Sequence, residues 1–271
     1  MYQSPWGLEK TPFPSGLAPS LFYEGAGQRE SLARMRFLVD QSRRLGLVLG
    51  EPGLGKSLLL EVFARECRQK GRAVAQVDLL GLSSREFIWQ LGIELQAPVR
   101  MEDDLVRLGR QLIDRIRGNQ RQELTTVLLL DNADQAGHDL LTHLFRLANF
   151  DAAGSGGLTL VLAANRARAD RLGSSLLDLV DLRIDLQPWD ELDTTGYLQL
   201  ALVEAGSERP LFEDLALSEM HRLAEGVPRR VNRLADYALL AGSSSGQAMV
   251  GAATVQSAHD AMQLPTVSCS K

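Results

Sequence analysis

Five short stretches of this chain are apolar almost without interruption: "LGLVL" (Leu45–Leu49), "AVAQVDL" (Ala73–Leu79), "LTTVLLL" (Leu124–Leu130), "LTLVLAA" (Leu158–Ala164) and "LRIDL" (Leu182–Leu186). Such runs, rich in Leu and Val and lacking period-2 alternation, fit strands buried on both faces of a parallel sheet. Between and before them, "QRESLARMRFLVDQSRR", "KSLLLEVFAREC", "SSREFIWQLGIEL", "MEDDLVRLGRQLIDRIR" and "DLLTHLFRLANF" place apolar residues at helical spacing. The serines that open the third can cap a helix. The fourth has acids at its start and arginines at its end, as the helix dipole favours. Strands alternating with helices predict an α/β fold with a mostly parallel five-stranded sheet in a three-layer core.

Near Gln187 the pattern changes. "WDELDTTGYLQLALVEAG", "EDLALSEMHRLAEG", "PRRVNRLADYALLAG" and "GAATVQSAHDAM" read as helices, with no further strand. The predicted organisation is an α/β domain over 1–186, a small all-helical domain over 187–265 and a tail over 266–271. The α/β domain includes an N-terminal segment rich in proline and aromatics. Trp6, Phe13, Phe22 and Tyr23 are expected to pin that segment to the body.

Composition narrows the function class. The 271 residues are 45% hydrophobic and 23% charged, with a net charge of -5, which is ordinary for a globular protein and does not favour nucleic acid as a partner. Two distant thiols, Cys67 and Cys269, form neither a disulfide framework nor a metal-ligand spacing. No signal peptide or membrane span is read from the chain, so a cytoplasmic location is expected.

The candidate chemistry begins at "GEPGLGKS", where Gly50, Glu51, Pro52, Gly53, Leu54, Gly55, Lys56 and Ser57 follow the first strand and lead through Leu58 into a helix. This fits G-x-x-x-x-G-K-[ST] in full and in the required strand-to-helix context. Glycines let backbone amides approach phosphate oxygens closely. The helix start adds partial positive charge. Lys56 is expected at the β and γ phosphates and Ser57 at Mg2+, with ATP as the ligand.

A second metal ligand is expected where another buried strand ends, and "TTVLLLD" supplies Asp131. The text continues Asn132, Ala133, Asp134. Asparagine can orient a water but cannot take its proton at neutral pH. Asp134 reads first as a surface acid on the loop, and second as a group turned toward the site. Asn165, at the end of the fourth strand, is either a turn residue or a sensor of the γ phosphate. Arg229, Arg230 and Arg233 form a basic helix start behind Pro228.

Together these motifs resemble an AAA+ ATPase. More narrowly the chain is similar to the general secretion pathway protein A group, ATPases linked to type II secretion. The likeness runs from "YQSPWGLEKTPFPSG" through "LFYEGAGQRESLARM", "VLGEPGLGKSLLL" and "VLLLDNAD" to "LFEDLALSEMHRLAEGVPRRVNRLADYALLA", roughly Tyr2 to Ala241. The resemblance implies a fourth strand lying between the two nucleotide-binding strands, with Asn165 as sensor 1. It implies that Arg229, in the Gly-x-Pro-Arg element, is sensor 2 on a helical lid. It also implies assembly as a homo-oligomer or nucleotide-dependent dimer, completed by an arginine from the neighbour, for which Arg171 and Arg183 are imperfect matches.

The sequence departs from the pattern at Asn132, where the family carries a catalytic glutamate. The expected function is ATP binding and hydrolysis coupled to lid movement and to assembly of a partner complex, with a secretion or envelope system as the candidate setting. A slow nucleotide-gated switch and a DNA-linked target-selection ATPase are the alternatives.

Overall fold

The computed structural model describes residues 3–150 and 157–262. Tyr2, Cys269 and the expected tail over 266–271 lie outside them. The described chain forms two compact units, one of Gly27–Gln187 and one that joins the N-terminal stretch up to Ala26 to the chain from Pro188 onward.

The first unit is a five-stranded sheet: β1 (Leu45–Gly50), β2 (Ala73–Asp78), β3 (Thr126–Asp131), β4 (Leu158–Asn165) and β5 (Leu182–Asp185), in the order β2-β3-β4-β1-β5. Every pairing is parallel. All six residues of β1 and of β3 are buried, which is why these strands read as continuous apolar runs. Helices α1 (Ala26–Asp40), α2 (Lys56–Gln69), α3 (Ser84–Glu94), α4 (Leu105–Arg121) and α5 (His138–Ala148) surround the sheet in sequence. Ser83 closes a capping box with Glu86 at the start of α3, so two otherwise orphan amides are satisfied. The acids before α4 lie outside its first turn, in contrast to the sequence expectation. Asp104 is instead the N-cap, accepting from the Arg107 amide at 2.8 Å. Cys67 is a free, buried thiol whose pKa burial pushes up.

The second unit contains α6 (Glu191–Glu204), α7 (Asp214–Ala224), α8 (Pro228–Ser244) and α9 (Ala252–Met262), with a β-bridge between Phe212 and Val250. Its core also takes in the N-terminal segment: Trp6, Leu8 and Phe13 are buried beside Tyr197, Leu198, Phe212 and Leu239. The Trp6 indole donates to the Leu239 carbonyl at 3.0 Å, and Asn232 Nδ2 donates to the Pro14 carbonyl at 2.9 Å. Tyr23 meets Trp189 edge-on at 5.9 Å. The expected grouping of this segment with the α/β domain is therefore corrected: Trp6, Phe13 and Tyr23 pack into the core of the helical unit.

Candidate functional site

The loop after β1 is shaped by backbone geometry that only glycine adopts easily. Gly53 and Gly55 have φ of 93° and 90°, in a region where other L-residues are strained. A Cβ on Gly50 would lie 3.2 Å from the Leu186 Cβ, so a side chain there would crowd the strand end. Gly55 leads directly into α2, whose first amides have no partner within the helix. Lys56 turns back over the loop, and its Nζ donates to the carbonyls of Gly50 at 2.8 Å and Glu51 at 3.1 Å. Ser57 follows in the first turn of α2 and is half-buried. Positively directed amides, an ammonium and a hydroxyl thus converge where the chain leaves the sheet, the donor set that a polyphosphate needs.

Asp131 ends β3, 8% exposed. Its Oδ1 accepts the Asn132 amide at 2.8 Å, while Oδ2 accepts no hydrogen bond among the described residues. A buried carboxylate with one free oxygen suits a hard cation such as Mg2+. Among the described residues no group of three or more His, Cys, Asp or Glu is placed to hold a metal. Ser57 and Asp131 are the candidate protein ligands for a cation that accompanies a bound phosphate.

Strand order places β4 between β1 and β3. Asn165, at the tip of β4, pairs in register with Gly50 at the tip of β1. Its Oδ1 is occupied by the Ala167 amide at 3.0 Å, which leaves Nδ2 as the atom that can donate outward. A donor at the strand tip beside the glycine loop suits a phosphate oxygen.

Asn132 adopts the left-handed region, φ 53° and ψ 38°. Asparagine enters that region more readily than glutamate, since a longer side chain gains no local hydrogen bond there. Its Nδ2 donates to Asp78 Oδ1 at 2.8 Å. Replacing Asn132 by Glu should therefore cost about 1 kcal/mol, a shift of a few degrees in thermal midpoint, whereas Asn132→Gly should cost less. Differential scanning calorimetry of both variants checks this. Equal midpoints would show that the backbone relaxes freely at this position.

Asp134 is not the surface acid expected first. It is 4% exposed. Its Oδ1 accepts the Asn165 backbone amide at 2.8 Å and its Oδ2 accepts from Gln135 Nε2 at 3.1 Å. The carboxylate clamps the loop after β3 to the tip of β4, and thereby holds Asn165 in place.

The arginines divide by environment. Arg166 ion-pairs with Asp185 at 3.2 Å, and Arg183 binds the same carboxylate through two bonds of 2.8 Å. Arg171 is exposed. In the helical unit, Arg229 is exposed in the first turn of α8 and makes no ion pair among the described residues, while Arg230 is paired with Glu225. The C-terminal ends of β1, β3 and β4 thus carry Gly50–Leu58, Asp131, Asn132 and Asn165. Arg229 belongs to the other unit.

Sequence reasoning did not single out Asp78. The signal was its position as the last polar residue of the second apolar run, but its pairing with Asp131 depends on strand register.

Residues 39–172 match the AAA domain family. General secretion pathway protein A of Aeromonas hydrophila is 26% identical over 250 residues, 91% of this chain and 46% of that protein, so the chain spans about half the length of that relative. Among solved structures, the ORC2 protein of Aeropyrum pernix has a TM-score of 0.70 at 15% identity, covering 93% of this chain and 71% of that one. ORC of Drosophila, bound to DNA, gives 0.70 at 20% identity, covering 95% and 64%. The RuvB branch migration motor of Thermotoga maritima gives 0.61 at 14% identity, covering 92% and 72%. Likeness at these identities establishes the fold. The chain has the fold of AAA+ P-loop NTPases, matches the AAA domain over 39–172, and resembles general secretion pathway protein A.

Proposed function

We propose that this protein binds ATP with Mg2+ at the C-terminal ends of the strands, hydrolyses it slowly, and uses the nucleotide state to set the state of its helical unit for a partner complex. The observation that carries this reading is the convergence of the glycine loop, Lys56, Asp131 and Asn165 at the ends of β1, β3 and β4. Lys56 neutralises the β and γ phosphates. Asn165 Nδ2 donates to the γ phosphate. Ser57 and Asp131 would hold Mg2+, which would supply charge neutralisation to the phosphates. Catalysis is positioning and electrostatics rather than covalent chemistry.

Slow turnover follows from Asn132. A water-polarising carboxylate typically contributes about 10²- to 10⁴-fold, and an amide supplies orientation without proton transfer. Steady-state phosphate release tests this beside nucleotide titration. ATP should bind well, with turnover at least about 100-fold below a typical 10 s⁻¹. Asn132→Glu should raise turnover with little change in ATP affinity, because the residue acts on water and not on ground-state phosphates. Brisk parental hydrolysis would refute the slow-switch reading.

Arg229 is the proposed sensor of the helical unit, and its exposed, unpaired guanidinium supports that role. Arg229→Ala should lower the preference for ATP over ADP, since only ATP carries the γ phosphate, and Arg230→Ala should do less. Competition titration of the two nucleotides checks it; an unchanged ratio removes Arg229 from the site. The likeness to general secretion pathway protein A supports a secretion or envelope complex as partner, with a homo-oligomer or nucleotide-dependent dimer as the working form. Recovery of envelope components with the ATP-bound protein would support that assignment. Recovery of DNA whose binding weakens steeply with salt would replace it.

A further inference from the structure

One carboxylate outside the residues assigned above touches the central amide of the site. Asp78 ends β2, in register with Asp131 on β3. Its Oδ1 accepts from Asn132 Nδ2 at 2.8 Å and from the Leu80 backbone amide at 3.0 Å. A carboxylate accepts hydrogen bonds and does not donate them. The Asn132 amide must therefore present its NH2 to Asp78, and its carbonyl oxygen must face elsewhere. A second bond fixes the backbone, because the Asn132 amide N–H donates to Asp131 Oδ1 at 2.8 Å. Two aspartates on adjacent strands thus set both the position of Asn132 and the sense of its side chain.

We propose that Asp78 is a positioning residue for ATP hydrolysis, holding Asn132 with Oδ1 turned away from β2 as the acceptor for the attacking water. This rests on the reading that the protein hydrolyses ATP. The aspartate and the asparagine share the task of a single glutamate: the amide offers the acceptor, and the charge of Asp78 polarises it through the intervening N–H. Hydrogen bonds in series strengthen one another in this way. In the reaction, the water oxygen forms a bond to the γ phosphorus. The bond from that phosphorus to the β,γ-bridging oxygen breaks, ADP leaves, and the water proton passes to a phosphate oxygen or to solvent.

Asp78 does not act as the base itself. With the order β2-β3-β4-β1, its strand lies three inter-strand steps of about 4.8 Å from β1, roughly 14 Å in all. Asn132 is one step nearer the phosphate loop.

The test is a double-mutant cycle of Asp78→Ala with Asn132→Gly, the glycine removing the amide while keeping the left-handed backbone. Single-turnover rate, ATP dissociation constant and thermal midpoint are measured for each variant. Asp78→Ala should slow hydrolysis roughly tenfold, the usual scale for loss of a supporting second contact, with ATP affinity within about twofold of the parent. Asp78→Asn, which can still accept from Asn132 but carries no charge, should fall between them. In the Asn132→Gly background, Asp78→Ala should change the rate no further.

The same tenfold loss in both backgrounds, or a loss of affinity in place of rate, would overturn the role through Asn132. A rate that survives Asn132→Gly but not Asp78→Ala would make Asp78 the direct catalyst and also overturn it. A parent with no Lys56-dependent phosphate release refutes hydrolysis itself, and this inference with it. Normal parental turnover with an uncoupled cycle refutes the inference alone.

Discussion

Lys56→Ala should weaken ATP binding by at least about 100-fold, roughly 3 kcal/mol, and leave the fold intact. The size follows from what the ammonium does. In the folded protein it is held only by loop carbonyls and other polar contacts at a half-buried position. Its removal exposes no cavity in the core, so the cost to stability is small. Against bound ATP, by contrast, the same group faces the most highly charged part of the ligand in a partly desolvated loop. Charge-assisted bonds there are worth about twice their neutral counterparts. Calorimetric titration with a slowly hydrolysed ATP analogue measures the affinity, and the thermal midpoint without nucleotide controls for folding. Unchanged affinity in a folded variant would mean that the loop does not hold phosphate.

Asp134 separates structure from catalysis. Asp134→Ala should destabilise the α/β unit by about 1–3 kcal/mol, because it strands the partly buried Asn165 amide, whereas the exposed Gln135 can turn its amide to water. Asp134→Asn should do far less harm, since an amide oxygen still accepts from Asn165 and Gln135 can turn its own amide to match. If Asp134 only clamps the loop, Asp134→Asn keeps most of the parental turnover. If it were the base, Asp134→Asn would lower the rate by about 10²-fold or more with little change in melting. Denaturant unfolding and phosphate release on the same two variants decide between the outcomes.

Much of the fold was legible because buried parallel strands leave a simple trace. Leu45–Gly50 and Thr126–Asp131 are buried at every position, so their apolar runs had to be central strands. The phosphate loop was legible because its φ values demand glycine at Gly53 and Gly55, and its chemistry demands Lys56. What escaped the sequence depended on contacts distant along the chain. Asp134 looks like any polar loop residue until the tip of β4, 31 positions later, folds against it. Asp78 acquires meaning only through a register that joins it to a residue 54 positions away. The N-terminal aromatics showed that they must be buried, but not against what. Trp6 finds its acceptor 233 positions on. Asn132 was legible as a missing carboxylate, whereas its left-handed backbone, which favours asparagine on steric grounds, was not.

The interleaving of the two units also sets an order of events during synthesis. Gly27–Gln187 is contiguous, while the helical unit is split around it. The α/β unit can fold as soon as its last strand leaves the ribosome. The helical unit must wait for α6 to α9, on the order of ten seconds more at ordinary translation rates. Through that interval Trp6, Leu8 and Phe13, made before the α/β unit, have no core to enter. A nascent chain stalled near Gln187 would thus carry a finished nucleotide-binding unit and an exposed aromatic leader. That leader would be open to chaperones, and to proteases that the completed protein resists.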